Sequence, residues 1–377
     1  MAHCRIPTID ISSWTSDEQS SSIHGDRRQT CARQFERAMS DWGMVIITGH
    51  AVPAQLLSLC LHNCHAWFSQ TPPTAKRQHI RGPYGCPEGG YTAQGIEAVA
   101  ASELGKKAQD HVDMIESYVF RGLPPSQNPL SEAAIDYYHH MCRLGRVLHR
   151  ILCCALGVKD LDHFVTQGIL PLEDQASVHS LKLSFYPDQE GESSTSTQLR
   201  YGAHTDFQDV TILRPDPSDW SALSTIESEV SEEQEDGMVS TLGGLQVWNT
   251  RLDKWQAVCV DDPTALVVNL GDFWKIWSGG RFTSPLHRVT SKGWRLPRQE
   301  VTPNQKIGPP SATTTSTART SLVFFSIPNE RATVAALPNI EVSLDYQNKL
   351  QELIKANGGK PPTAGEHLAM KLARINS

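Results

Sequence analysis

Val178-His179-Ser180-Leu181-Lys182-Leu183-Ser184-Phe185-Tyr186 reads as a β-strand and opens a series of strand-like runs that lasts to about residue 327. The later runs are 203–213, 244–249, 254–260, 265–270, 286–290 and 319–327, separated by turns of Gly, Pro and Asp. Many short strands with such turns predict a β-sandwich or jelly roll. Helical periodicity flanks the series on both sides. Upstream, Ile6 to Ile11 alternates like a strand, 26–42 carries apolar residues at 32, 35, 38, 39 and 42 and stops at Gly43, and Met44 to Thr48 reads as a buried strand. Pro53 suits the first turn of a helix bearing Leu57, Cys60, Cys64 and Phe68 on one side, and 131–156 gives the clearest helix of the chain. Residues 81–110 are Gly-rich and poorly periodic, so they read as a long loop with short pieces of structure. Downstream, 342–356 and 363–375 return to helix, the second with Thr363 and Glu366 at capping-box spacing. The predicted class is α+β, with a mainly helical region 1–176, a jelly-roll core 177–345 and closing helices 346–377.

Two stretches interrupt the strands as insertions. Residues 215–241 hold eight acidic residues and no basic one, and 292–318 is rich in Thr and Pro; both read as solvated loops. Without the first, the net charge of −7 would become +1, so the acidity is local. The balance supplies no basic field for nucleic acid. No apolar run approaches the roughly 18 residues of a membrane helix, and the polar start is unlike a signal peptide. Nine cysteines without a Cys-x-x-Cys pair read as reduced thiols, and a cytoplasmic protein is expected.

The chemistry is carried by His204-Thr205-Asp206 and His287. On a strand, residues i and i+2 share a face, so His204 and Asp206 can offer an imidazole nitrogen and a carboxylate oxygen to one point. With His287 from another run they make two histidines and one carboxylate, the facial set that non-haem Fe(II) oxygenases use with open positions for reactants. Arg319 and Ser321 share a face by the same alternation, and an Arg fork beside a hydroxyl suits a carboxylate ligand. His62, His65, His139, His140 and His149 fall on helical stretches and read as surface or satisfied core histidines.

With these residues in place, the chain resembles the isopenicillin N synthase-like branch of Fe(II)/2-oxoglutarate-dependent dioxygenases. The likeness rests on Ile6 to Asp10, Trp42-Gly43 to Gly49-His50, Lys182 to Pro187, Ala203 to Phe207, Gly243 to Val247, Val268 to Asp272, Ser284 to Val289 and Arg319 to Ser321, in that order. It implies iron ligands His204, Asp206 and His287, and Arg319, Ser321 and Tyr186 as contacts of 2-oxoglutarate. It also implies O2 as second cosubstrate, ascorbate as an optional reductant, and oxidative decarboxylation to succinate coupled to oxidation of a small organic substrate by hydroxylation, desaturation, ring formation or rearrangement. Ser184 stands where the family usually has Asn. The Gly90-Tyr91 loop, the stretch 110–118, Phe207, Phe325 and the C-terminal helix fall where relatives shape the substrate pocket, and an aromatic lining with few charges would suit a mostly apolar specialised metabolite. Two alternatives stay open: an oxidase of the same family that uses no 2-oxoglutarate, and a non-catalytic jelly-roll binding protein. A halogenase would need a small residue in place of Asp206.

Overall fold

The computed structural model describes residues 5–16, 22–82, 89–99, 113–128, 130–158, 179–187, 199–216, 244–290 and 318–375. Its strands are β1 (Thr8–Asp10), β2 (Met44–Thr48), β3 (Gly90–Thr92), β4 (Glu116–Arg121), β5 (Ser180–Tyr186), β6 (Leu199–His204), β7 (Val210–Arg214), β8 (Gly244–Asn249), β9 (Lys254–Ala257), β10 (Leu266–Leu270), β11 (His287–Thr290) and β12 (Arg319–Ser326). The principal helices are α1 (Ser22–Asp41), α2 (Ala54–Gln70), α3 (Ser131–Ala155), α4 (Asp272–Trp277), α5 (Leu344–Ala356) and α6 (Ala364–Ile375). An eight-stranded sheet in the order β1-β2-β10-β7-β12-β5-β4-β3 faces a four-stranded sheet in the order β6-β11-β8-β9. All pairings are antiparallel except β1 with β2. This is the expected jelly roll, with the N-terminal strands hydrogen-bonded into the same large sheet.

Period-2 alternation explains how the large sheet serves two layers. In β5, Leu181, Leu183 and Phe185 join the core beneath α2 and α3, while Ser180, Lys182, Ser184 and Tyr186 face the cavity between the sheets. Strand β12 repeats the division: Leu322 and Phe324 meet the helices, and Arg319, Ser321, Val323 and Phe325 meet the cavity. Covered on both sides, β5 is buried along its whole length. Gly43 ends α1 at φ +63°, a left-handed position where glycine avoids strain. At α6 the capping box forms: Thr363 N–H donates to Glu366 Oε2 at 2.8 Å, and Glu366 N–H to Thr363 Oγ1 at 3.2 Å.

Three sequence expectations need correction. The run 203–213 is two strands, β6 and β7, because the chain crosses from the small sheet to the large one through 205–209. The helix α4 inside the strand series was not expected, being too short to show a period, whereas the three-residue β3 is one of the short pieces expected within 81–110. The insertions lie outside the described residues from 217 to 241 and from 292 to 317. Asp216, read as a solvated loop residue, instead accepts the Thr320 N–H on Oδ2 at 3.0 Å, beside Arg319. No helix among the described residues is long and apolar enough to cross a membrane.

Candidate active site and metal centre

His204 ends β6 and His287 begins β11, and the two stand directly opposite each other in the ladder. Their rings lie 4.3 Å apart between centroids. Each Nδ1–H donates to a carbonyl two residues back, His204 to Gly202 O at 2.8 Å and His287 to Pro285 O at 3.0 Å. That fixes the tautomer: the proton sits on Nδ1, and Nε2 keeps a lone pair for a metal. Asp113 steadies the same backbone by accepting the Gly202 N–H on Oδ1 at 2.8 Å.

Asp206 lies beyond the end of β6, so strand alternation is not what aims it. Its Oδ1 stands 3.5 Å from His204 Nε2 and 3.9 Å from His287 Nε2. Its Oδ2 accepts the Thr211 hydroxyl and Asn269 Nδ2–H, the latter at 2.7 Å. The carboxylate thus presents one oxygen to the two imidazoles. Burial alone would raise the Asp206 carboxyl, but the positive charge that His287 and His204 carry when protonated, without a metal, and the Thr211 hydroxyl hold it well below the usual carboxylate range. The backbone is held too: Asp272 N–H donates to Asp206 O at 2.9 Å. A Cβ on Gly271 would meet Gln208 O at 2.0 Å, so only glycine lets α4 start this close to the turn. The three candidate ligand atoms lie within 4.8 Å of one another, all buried. Two neutral imidazoles and one charged oxygen on one side, with a cavity on the other, fit Fe(II) with open positions.

Asn269 and Thr211 were missed in the sequence because their role is to hold a ligand rather than to be one. Val268-Asn269-Leu270-Gly271-Asp272 signalled importance by resemblance but gave no reason. Asn269→Ala is expected to weaken iron binding about 10- to 100-fold, the usual cost of losing such an outer partner. Anaerobic Fe(II) titration of the metal-free protein measures it.

The cavity, of about 150 Å³, extends between the sheets from this cluster. Arg319, Ser321 and Tyr186 all line it, and all are buried. Arg319 pairs with Tyr186 across β12 and β5, its guanidinium carbon 5.0 Å from the Tyr186 ring centroid. Ser117, Ser184 and Ser321 stand in register on β4, β5 and β12, and the last two line the cavity. A buried guanidinium with neighbouring hydroxyls is the donor set a carboxylate needs.

Phe207 and Phe325 line the cavity as expected, with Ile115, Val119 and Val323. Tyr91 does not. It alternates away from the cavity, packs edge-on against Trp67 and donates its hydroxyl to Glu116 Oε2 at 2.7 Å, leaving Gly90 on the cavity side. The lining is also more charged than the sequence suggested, since Lys182 and Arg121 contribute to it. Lys182 Nζ lies 2.5 Å from Glu97 Oε2 and donates to Tyr201 OH at 3.1 Å. Glu97 is fully buried and also accepts the Ser117 hydroxyl.

Comparison with known proteins gives the family. Residues 6–141 match the family described as non-haem dioxygenase in morphine synthesis N-terminal. Residues 215–328 match the 2OG-Fe(II) oxygenase superfamily, a stretch that takes in His287, Arg319 and Ser321 and begins just after Asp206. The chain belongs to the 2-oxoglutarate- and Fe(II)-dependent oxygenases. It is an oxidoreductase that uses Fe(II) and 2-oxoglutarate to oxidise a small molecule. Among curated relatives, validamycin A dioxygenase of Streptomyces hygroscopicus subsp. limoneus is 24% identical over 310 residues, 78% of this chain and 74% of the relative. Leucoanthocyanidin dioxygenase 1 of Oryza sativa subsp. indica is 27% identical over 299 residues, 76% and 67% of the two chains. A full-length Neurospora crassa protein, solved in complex with alpha-KG, shares the fold with a TM-score of 0.65 at 18% identity, covering 98% of this chain and 96% of that one.

Proposed function

We propose that His204, Asp206 and His287 hold the iron, that Arg319, Ser321 and Tyr186 hold the remote carboxylate of 2-oxoglutarate, and that the substrate is a specialised metabolite. The observation that carries this reading is the single Asp206 oxygen facing both His Nε2 atoms at the cavity wall. Fe(II) with 2-oxoglutarate and O2 supplies an oxidant able to remove hydrogen from a C–H bond, while the keto acid leaves as succinate and CO2. The chain's own residues do the rest. The carbonyls of Gly202 and Pro285 hold each ring by its Nδ1–H, so that Nε2 is the nitrogen turned to the metal, and Thr211 and Asn269 leave Asp206 one oxygen to give. Phe207, Ile115, Val323 and Phe325 keep water from the reacting carbon and orient it, which decides between hydroxylation, desaturation and ring formation.

The mixed lining supports a substrate with an apolar body and a polar oxygen rather than a wholly apolar one. The relatives' names point to validamycin A and leucoanthocyanidin, two different molecules, so membership alone does not choose the substrate. The region 177–345 is read as the catalytic unit, without a nucleic-acid partner. Cys31, Cys60, Cys64, Cys142 and Cys153 are buried thiols packed in the core, which supports a reducing, cytoplasmic setting. The test is a screen of candidate metabolites with the iron-loaded enzyme, 2-oxoglutarate and O2. Succinate should form in proportion to a product that gains one oxygen or loses two hydrogens. A product formed without consuming 2-oxoglutarate would sink the cosubstrate assignment and favour the oxidase alternative.

A further inference from the structure

Behind the turn that carries Asp206, a second His–Asp pair is buried where no substrate reaches. His149 Nε2, on α3, lies 3.1 Å from Asp209 Oδ2, with the two side chains 2% and 0% exposed. His149 Nδ1 lies 2.7 Å from Gly145 O, one helical turn back. Each ring nitrogen faces an oxygen, so His149 bridges the Gly145 carbonyl and the Asp209 carboxyl group. His179 is the other imidazole near the pair. Its Nδ1 accepts the Ile327 N–H at 3.1 Å, and burial pushes it down to about 4, so it is neutral and leaves Asp209 to His149.

Stability is a weak reason to keep such a pair, because desolvation offsets most of the attraction and an apolar pair of similar size does as well. Its place in the chain suggests another. Asp209 closes the turn whose first acid is Asp206, at the crossing from β6 to β7. The turn's far end is tied at every polar group: Asp209 O accepts the Gly271 N–H at 2.8 Å, Asp209 N–H donates to Ser326 O at 3.4 Å, and Asp209 Oδ1 accepts the Val210 N–H. Of these ties, only the one to His149 reaches α3, a 25-residue helix packed against the outer face of the large sheet.

We propose that His149 and Asp209 are positioning residues that pin the Asp206 turn to α3 and thereby set where Asp206 Oδ1 stands between the two histidines. The proposal rests on the triad assignment made above. Removing His149 alone would strand a buried carboxylate, so the test uses two variants that avoid this. Asp209→Asn keeps the link, since its amide can donate to a neutral His149 Nε2. His149→Leu/Asp209→Ser removes the link and leaves no buried charge.

Each full-length, metal-free protein is titrated anaerobically with Fe(II), alongside a thermal melt. Asp209→Asn should bind close to the wild-type affinity, and the double variant should melt cooperatively yet bind about 10- to 100-fold more weakly. A folded double variant with wild-type affinity would overturn the proposal, since the pair would then only hold the fold together. A loss in Asp209→Asn as large as that expected of the double variant would overturn it too, and this arm stands even where the double variant fails to fold. His287→Ala is the control: wild-type iron binding there would break the triad assignment itself.

Discussion

Replacing Asp206 with Ala is expected to remove iron binding and all turnover while the fold persists. Asp206 is the only carboxylate in the cluster of candidate ligands among the described residues. Two neutral imidazoles keep no charge to set against a dication, so no partial activity should survive. The variant leaves the Thr211 hydroxyl and Asn269 amide without their acceptor, at about 1–3 kcal/mol for each group left unsatisfied. Removing a buried carboxylate relieves its own desolvation, which offsets part of that cost. His204→Ala and His287→Ala should lose turnover for the same reason, each deleting one of three ligands. Iron content after anaerobic reconstitution and far-UV circular dichroism measure the two halves of the expectation. Wild-type turnover at limiting iron in any one of the three variants would show that the triad is wrongly assigned.

The second large effect is expected at the other end of the cavity. Arg319→Lys keeps the charge but gives up the fork and the flat face that lies against Tyr186. A hydrogen bond to a charged group contributes about 1.5–3 kcal/mol, so losing one prong corresponds to roughly a 10- to 150-fold rise in the 2-oxoglutarate needed. The main-substrate requirement should move far less, because Arg319 and its strand partner Tyr186 are the residues assigned to the cosubstrate. Succinate release measured against each concentration in turn separates the two. Equal shifts in both would argue that Arg319 shapes the cavity as a whole.

His204, Asp206, His287, Arg319 and Ser321 were legible as candidates because few residue types bind metals or carboxylates, and two pairs of them, His204 with Asp206 and Arg319 with Ser321, stood two residues apart. The reason given for Asp206 was nevertheless incomplete. His-x-Asp spacing suggested a shared strand face, whereas Asp206 is off the strand and is aimed by Asn269 and Thr211 on neighbouring strands of the large sheet. Tyr91 failed for a related reason. Alternation along β3 says that Gly90 and Tyr91 face opposite ways, but not which of them faces the cavity.

By itself, the sequence determined the short-range features: strand and helix periods, the end of α1 at Gly43, the Thr363–Glu366 box, and the residue types able to bind iron and a carboxylate. These depend on neighbours a few residues apart, and the chain writes them directly. Only the tertiary structure decided which face of each doubly covered strand meets the cavity. It alone paired Asn269 with Asp206, Lys182 with Glu97 and His149 with Asp209, partners separated by 63, 85 and 60 residues. Such pairs leave no period in the sequence. Two sheets and a helical layer must first be packed before a buried amide, carboxylate or imidazole has a partner, and the need to satisfy each of them out of water then selects the pairing.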